Sequence, residues 1–287
     1  MALVRNVRLT LEMIKWEHSV FALPFALAAA MLAANGWPAP RTIFWIVVAM
    51  VAARSAAMAF NRLADHSMDA ANPRTRTRAL PAGLLGRRFV AAFVVFSSAL
   101  LIFAAAQLNR LSLSLSPLAL AVVLGYSYTK RFTRWSHLAL GLALGIAPAA
   151  AWIAVRGSMD VRILLLTAAV AFWVAGFDVL YSCQDYDFDC AAGLYSFPRA
   201  FGIPAALVAA RLFHAVMLIL LALTMAAFHL GSVAFAGLLL VAILIAWEHS
   251  LVTATDLSRL NAAFFTMNGI ISMVLFLFVA ADVLHRR

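Results

Sequence analysis

Half of the twelve acidic residues in this chain stand in two short clusters, Asp65 with Asp69 and Asp178 with Asp185, Asp187 and Asp189, each at the end of an apolar stretch. A carboxylate in a greasy helix costs about 2.5–3.5 kcal/mol on insertion scales, so several together require a positive partner that joins them. Asn61, Asp65 and Asp69 follow at i, i+4 and i+8, and each step turns only about 40° past a full helical revolution. On a continuous helix the three oxygen-bearing side chains share one face and can converge on one ion. Asp185 and Asp189 repeat the spacing. Hard oxygen ligands suit Mg²⁺, which keeps several waters, takes one or two carboxylates and bridges to substrate phosphates. Two facing carboxylate helices therefore suggest a diphosphate clamp. Complementary charge follows each helix end, with Arg74, Arg76 and Arg78 after the first cluster and Lys130, Arg131 and Arg134 after another apolar run. Arginine forks and a lysine point charge both suit phosphate.

The elements that must position these residues are membrane helices. With 65% hydrophobic and 12% charged residues and a mean hydropathy of +0.95, the chain cannot fold around one soluble core. Nine apolar runs are long enough to span: Val20–Ala34, Thr42–Phe60, Phe89–Leu108, Leu111–Tyr128, Leu138–Val155, Val161–Ser182, Pro204–Phe228, Gly231–Trp247 and Ala262–Leu284. Their length and unbroken apolarity predict helices, because barrel strands alternate and span in about 9–11 residues. The fold class is all-α, with residues 1–287 forming one polytopic membrane domain. Arg5, Arg8, Glu12 and Lys15 spread along the first segment, without a small-residue cleavage site after it, predict that the first helix is retained. Cys183 and Cys190 give neither a disulfide framework nor a metal quartet and read as free thiols.

Lysine and arginine set the orientation. Arg5, Arg8 and Lys15, the segment from Arg74 to Arg88, the Lys130 to Arg134 group, Arg199 and Arg259 all fall on one side, which predicts a cytoplasmic N-terminus and cytoplasmic clusters in an inner membrane. Arg286 and Arg287 run against this rule. The net charge of +10 follows from the bias and from attraction to anionic lipid; nothing in it calls for nucleic acid.

Four motifs, in this order on nine helices, resemble the UbiA superfamily of intramembrane aromatic prenyltransferases: Asn61-x-x-x-Asp65-x-x-x-Asp69, Arg74-Thr75-x-x-Arg78-x-Leu80-Pro81-x-Gly83, Tyr126-x-x-x-Lys130, and Asp178-x-x-Tyr181-x-x-x-Asp185-x-x-x-Asp189. The resemblance implies a helical bundle around a central cavity in which Mg²⁺ bridges the two Asp-rich motifs to a polyprenyl diphosphate. It implies that Asn61, Asp65, Asp185 and Asp189 bind metal with Asp69 in support, and that Lys130, Arg74 and Arg78, with Arg131 beside them, hold the diphosphate. Asp178 and Tyr181 would face the aromatic acceptor and the reacting carbon. Departure of diphosphate leaves an allylic cation, which Tyr126 or Tyr181 could stabilise through their ring faces. Closed apolar walls would exclude water. A phenol ring attacks next, and its proton leaves to Asp178, to diphosphate or to water.

Many members carry Asp after the first Asn and Arg after the next Asp, where this chain has Arg62 and His66. Arg62 lies one turn from position 66 and could serve the same region, so its removal is expected to weaken diphosphate binding. Trp-Glu-His-Ser occurs twice, at Trp16–Ser19 and Trp247–Ser250. Interfacial tryptophan anchors account for it; alternatively Glu17 and His18 belong to an acceptor pocket. The segment Lys15 to Pro24 looks most like the branch that prenylates a carboxylated dihydroxynaphthalene in the futalosine route to menaquinone, whereas 4-hydroxybenzoate is the acceptor of the better-known branch. Arg54, inside a helix, could pair with an acid or bind an acceptor carboxylate. His137, His214, His229 and His285 lack ligand spacing. A transporter could also use intramembrane carboxylates, but the matched Asp spacing and the arginine loop suit a metal-bound diphosphate better than a moving ion.

Overall fold

The computed structural model describes residues 2–15, 19–260 and 266–286, and among them every regular element is helical. Eight helices are long and apolar enough to cross a membrane: α3 (Pro40–Ala64), α5 (Arg87–Leu108), α6 (Arg110–Gly125, continued by a 3₁₀ turn, Tyr126–Arg131), α7 (Ser136–Arg156), α8 (Ile163–Ser182), α11 (Ile203–Ala227), α12 (Ser232–Ser250) and α13 (Asn268–His285). The ninth expected span is α2 (Ser19–Ala34), a helix of 16 residues with Pro24 inside it. At about 1.5 Å per residue it is shorter than the ~30 Å hydrocarbon layer. Val95, Phe96, Leu212, Ile219, Leu239 and Ile243 point outward and are exposed. Such a belt is sustainable only against lipid.

The first helix, α1 (Ala2–Ile14), is absent from the expected spans because it does not span. Met13 and Ile14 pack with Ala59, Leu80, Leu85 and Val90, so α1 lies over the end of α3. Polar residues at Arg8 and Glu12 form an exposed i, i+4 pair, the pattern of an interfacial helix.

The apolar core lies among α2, α7, α8, α11, α12 and α13, around Phe25, Trp173, Met217, Leu221, Ile271 and Leu275. On the other side of α7 and α8, toward α3 and α6, the packing opens into a cavity of about 1150 Å³. The α7–α8 seam is tight: a Cβ on Gly141 would fall 2.2 Å from the Ala171 carbonyl oxygen, and one on Gly145 2.8 Å from that of Thr167. Only glycine lets two backbones approach so closely.

Arg286, which runs against the charge rule, is held by local chemistry. It pairs with Asp282 and donates to the His229 carbonyl, while Asp282 accepts the backbone N–H groups of Gly231 and Ala234 at the start of α12. The acid caps a helix N-terminus and the arginine balances the acid.

Candidate active site

Both Asp clusters sit where a spanning helix breaks, not on continuous helices. Asp65 ends α3 and opens α4 (His66–Ala71), with φ −92° and ψ 7°. Asp185 ends a 3₁₀ turn (Cys183–Asp185) below α8 and opens α9 (Tyr186–Ala192), with φ −99° and ψ 8°. These are bridge-region conformations, sparsely populated and frequent among active-site residues. The interruption is a single residue: the Asp65 N–H still bonds the Asn61 carbonyl and the Asp69 N–H the Asp65 carbonyl, each at 2.8 Å, and Asn61, Asp65 and Asp69 line one cavity. Asp65, Asp69 and Asp189 are all buried.

Cations from other segments meet Asp65, Asp69 and Asp185. Lys130 Nζ lies 2.7 Å from Asp65 Oδ2 and Arg131 Nη2 3.2 Å from Asp65 Oδ1. The 3₁₀ turn after α6 delivers both, and Arg131 also closes the open end of α3 by donating to the Ala64 carbonyl at 2.6 Å. Arg78 Nη1 donates to Asp69 Oδ1 at 2.8 Å. Arg62, buried, reaches Asp69 Oδ2 at 3.8 Å and Asn61 Oδ1 at 3.4 Å. Arg74 crosses the cavity mouth to grip Asp185 with two nitrogens, Nε at 2.9 Å, and donates to the Tyr181 hydroxyl at 3.2 Å. Burial alone would lower the Arg74 pKa, but its hydrogen bonds to Asp185 and that carboxylate's charge outweigh the penalty and raise it above the ordinary arginine value. Arg74 is a fixed cation.

Asn72 belongs to this group and sequence reasoning missed it. Its side-chain nitrogen donates to Asp185 at 3.0 Å while its oxygen accepts the Arg74 backbone N–H at 2.9 Å. An Asn before Pro73 reads as a turn signal, and the turn is real; its second role depends on α8 lying opposite. Thr75 fastens the same loop by donating to the Asp69 carbonyl at 3.0 Å.

Asn61, Arg62, Asp65, Asp69, Arg74, Arg78, Tyr126, Lys130, Asp178, Tyr181, Asp185 and Asp189 all line the one cavity, and Arg131 stands behind Asp65. From this polar end the cavity runs between apolar walls that include Ile46, Leu101, Leu115 and Ile153. Deeper than Asn61 stands Arg54, whose buried Nε has no hydrogen-bond partner among the described residues. His137, set aside on spacing, donates or accepts at Asp178 Oδ2 across 2.6 Å. The Glu17–His18 pair lies outside the described residues. In the second copy, Trp247 is exposed, Glu248 is buried with neither oxygen partnered among the described residues, and His249 Nε2 meets His214 Nδ1 at 2.9 Å; none of these lines the cavity. Both cysteines are free.

Among the described residues no three His, Cys, Asp or Glu side chains converge tightly enough to hold an ion unaided. The donor set nevertheless fits Mg²⁺. Its oxygens are hard, Asp69 Oδ2 is buried without a hydrogen bond among the described residues, and Mg²⁺ takes few protein carboxylates when water and phosphate oxygens complete its shell. Lys130 and Arg131 pair with Asp65, Arg74 with Asp185 and Arg78 with Asp69.

A membrane-embedded cavity with acids and cations at one end and apolar walls beyond defines an enzyme for an amphiphile with an anionic head. The comparisons agree. Residues 22–270 match the model of the UbiA prenyltransferase family. A 4-hydroxybenzoate octaprenyltransferase of Xanthomonas oryzae pv. oryzae is 36% identical over 222 residues, 77% of this chain and 73% of that one. Another, from Pseudomonas syringae pv. tomato, is 30% identical over 262 residues, covering 89% and 86%. The apo structure of a UbiA homolog from Aeropyrum pernix K1 superposes with a TM-score of 0.81 at 33% identity, covering 94% of this chain and 98% of that one. A UbiA homolog from Archaeoglobus fulgidus, solved bound to GPP and Mg²⁺, shares the fold at a TM-score of 0.75 and 20% identity, covering 96% and 99%. The chain belongs to the UbiA prenyltransferase family, and it is a multi-pass membrane prenyltransferase.

Proposed function

We propose that this enzyme transfers a polyprenyl group from polyprenyl diphosphate to the ring of an aromatic hydroxy acid, with Mg²⁺, in quinone biosynthesis. The observation that carries the reading is the single cavity joining five Asp residues and a ring of Lys and Arg to a long apolar channel. Relatives named for 4-hydroxybenzoate support that acceptor, and the resemblance of Lys15 to Pro24 to the menaquinone branch supports 1,4-dihydroxy-6-naphthoate as the alternative. The positive-inside bias supports an inner-membrane enzyme whose polar cavity end faces the cytoplasm.

Asn61, Asp65, Asp69, Asp185 and Asp189 are the oxygen donors for the metal. Bound Mg²⁺ supplies charge neutralisation for the departing diphosphate. Lys130, Arg131, Arg74, Arg78 and Arg62 hold the diphosphate oxygens and stabilise the charge that builds as the allylic carbon–oxygen bond breaks. Tyr126 and Tyr181 present ring faces to the allylic cation. The apolar walls exclude water, so the cation meets the acceptor ring before it is quenched. A carbon–carbon bond forms, and the ring proton passes to Asp178, restoring aromaticity.

Arg54 is the group suited to the acceptor's carboxylate. A guanidinium inside a spanning helix is costly; among the described residues no acid bonds Arg54, and a carboxylated acceptor would supply the anion. Membranes holding the enzyme, given labelled polyprenyl diphosphate, Mg²⁺ and each acceptor separately, test the whole reading. Metal-dependent product from either acceptor supports it; ion flux in liposomes without product would favour a transporter.

A further inference from the structure

Asp178 is reached by a side chain that no sequence motif announces. His137 stands in the first turn of α7, 5% exposed, with Nδ1 2.6 Å from Asp178 Oδ2. Its other ring nitrogen, Nε2, accepts the Phe197 backbone N–H at 3.3 Å. An amide N–H only donates, so Nε2 is the unprotonated nitrogen and the proton of the neutral ring sits on Nδ1. A protonated ring would set its Nε2–H against the Phe197 N–H, two donors face to face. The contact with Asp178 is thus a hydrogen bond given by neutral histidine.

Three features hold the histidine there. Gly141 and Gly145 bring α7 against α8 and so set position 137 beside 178. Ser196 opens α10 (Phe197–Phe201) by accepting the Arg199 N–H at 3.4 Å, which aims the Phe197 N–H. The Tyr195 N–H donates to the Lys130 carbonyl at 3.0 Å, so the segment that fixes His137 also braces the turn bearing Lys130.

Resting on the reading above, we propose that His137 is a positioning residue for the transfer: it occupies Oδ2 of Asp178, fixes the orientation of the carboxylate and leaves Oδ1 for the acceptor. Asp178 lines the cavity with its side chain 25% exposed, and among the described residues no donor reaches Oδ1. A fixed carboxylate receives the ring proton without first reorienting. The proton leaves the ring carbon for Asp178 Oδ1 after the carbon–carbon bond has formed; His137 keeps its own throughout.

Kinetics and nitrogen spectroscopy on the full-length protein in bilayers test this. His137→Ala is expected to lower kcat about 10- to 100-fold while KM for polyprenyl diphosphate stays within about twofold. His137→Asn, whose amide nitrogen can occupy the Nδ1 position, is expected to recover most of the loss. In an Asp178→Asn background, His137→Ala is expected to add less than about threefold, because both act through one carboxylate. An unchanged kcat in His137→Ala, or its full cost in the Asp178→Asn background, would overturn the proposal. With ¹⁵N-histidine labelling, the signal lost in His137→Asn is expected to be a neutral Nδ1–H ring, and an Nε2–H ring or an imidazolium would overturn it. That spectrum needs no substrate, so wild-type protein inactive on both acceptors would refute the functional reading alone.

Discussion

Asp65 and Asp185, on different spanning helices, share one backbone conformation, φ −92° and ψ 7° against φ −99° and ψ 8°. Each ends a spanning run and starts a short helix that carries a second aspartate one turn further on, Asp69 and Asp189. The two halves of the site are built by the same local device, and both carboxylate pairs line one cavity.

Loss of a metal donor should abolish turnover without loss of the fold. Asp65→Asn and Asp189→Asn keep the size of the side chain and remove its charge, so activity is expected to fall at least about a hundredfold while membrane insertion is unchanged. Chelation should stop the wild-type enzyme and added Mg²⁺ restore it. Wild-type turnover by either variant at low Mg²⁺ would contradict the assignment.

Lys130 and Arg74 should act through the diphosphate. Each pairs with an aspartate at the polar end of the cavity, where the proposed reading puts the leaving group. Lys130→Met and Arg74→Met are expected to raise KM for polyprenyl diphosphate about 10- to 100-fold, with smaller changes in KM for the acceptor. Arg62→Ala should likewise weaken diphosphate binding. Because its pKa lies above the ordinary arginine value, Arg74 stays charged at every workable assay pH. A binding isotherm that weakens with rising pH would therefore report another group.

Arg54 predicts a split by acceptor. Arg54→Met should raise KM for a carboxylated phenol about tenfold or more and leave a neutral analogue, such as the methyl ester, nearly unaffected. Equal effects on acid and ester would remove the carboxylate from its role.

The α7–α8 seam gives a stability test. A methyl group at Gly141 meets the Ala171 carbonyl at 2.2 Å, so Gly141→Ala forces the helices apart at a cost of about 1–3 kcal/mol. Thermal unfolding in detergent should shift down, and activity should fall with it because His137 and Asp178 face each other across that seam. At the far end of the bundle, Asp282→Asn weakens the α12 cap by about 1 kcal/mol; it should lower the unfolding temperature and spare KM for both substrates.

The sequence by itself determined the membrane setting, the helices and the identity of the acids and cations. Apolar length, carboxylate cost and positive-inside bias are local quantities, readable from Pro40–Ala64 or from Asp65 and Asp69 without neighbours. It also carried the family resemblance through its four motifs. Tertiary structure decided how those residues are used. The breaks at Asp65 and Asp185 cannot be seen in a spacing that an unbroken helix would satisfy equally well. Asn72 reads as a turn residue until α8 lies opposite it, and His137 reads as a lone histidine until two glycines bring α7 onto α8 and the Phe197 N–H selects its tautomer. Even α1, polar enough to be excluded from the spans, found its place only by packing Met13 and Ile14 with Leu80 and Val90. Local chemistry fixes which groups can bind charge; only the packing of distant segments fixes which groups meet, because hydrogen bonds and ion pairs act over a few ångströms and sequence separation says nothing about them.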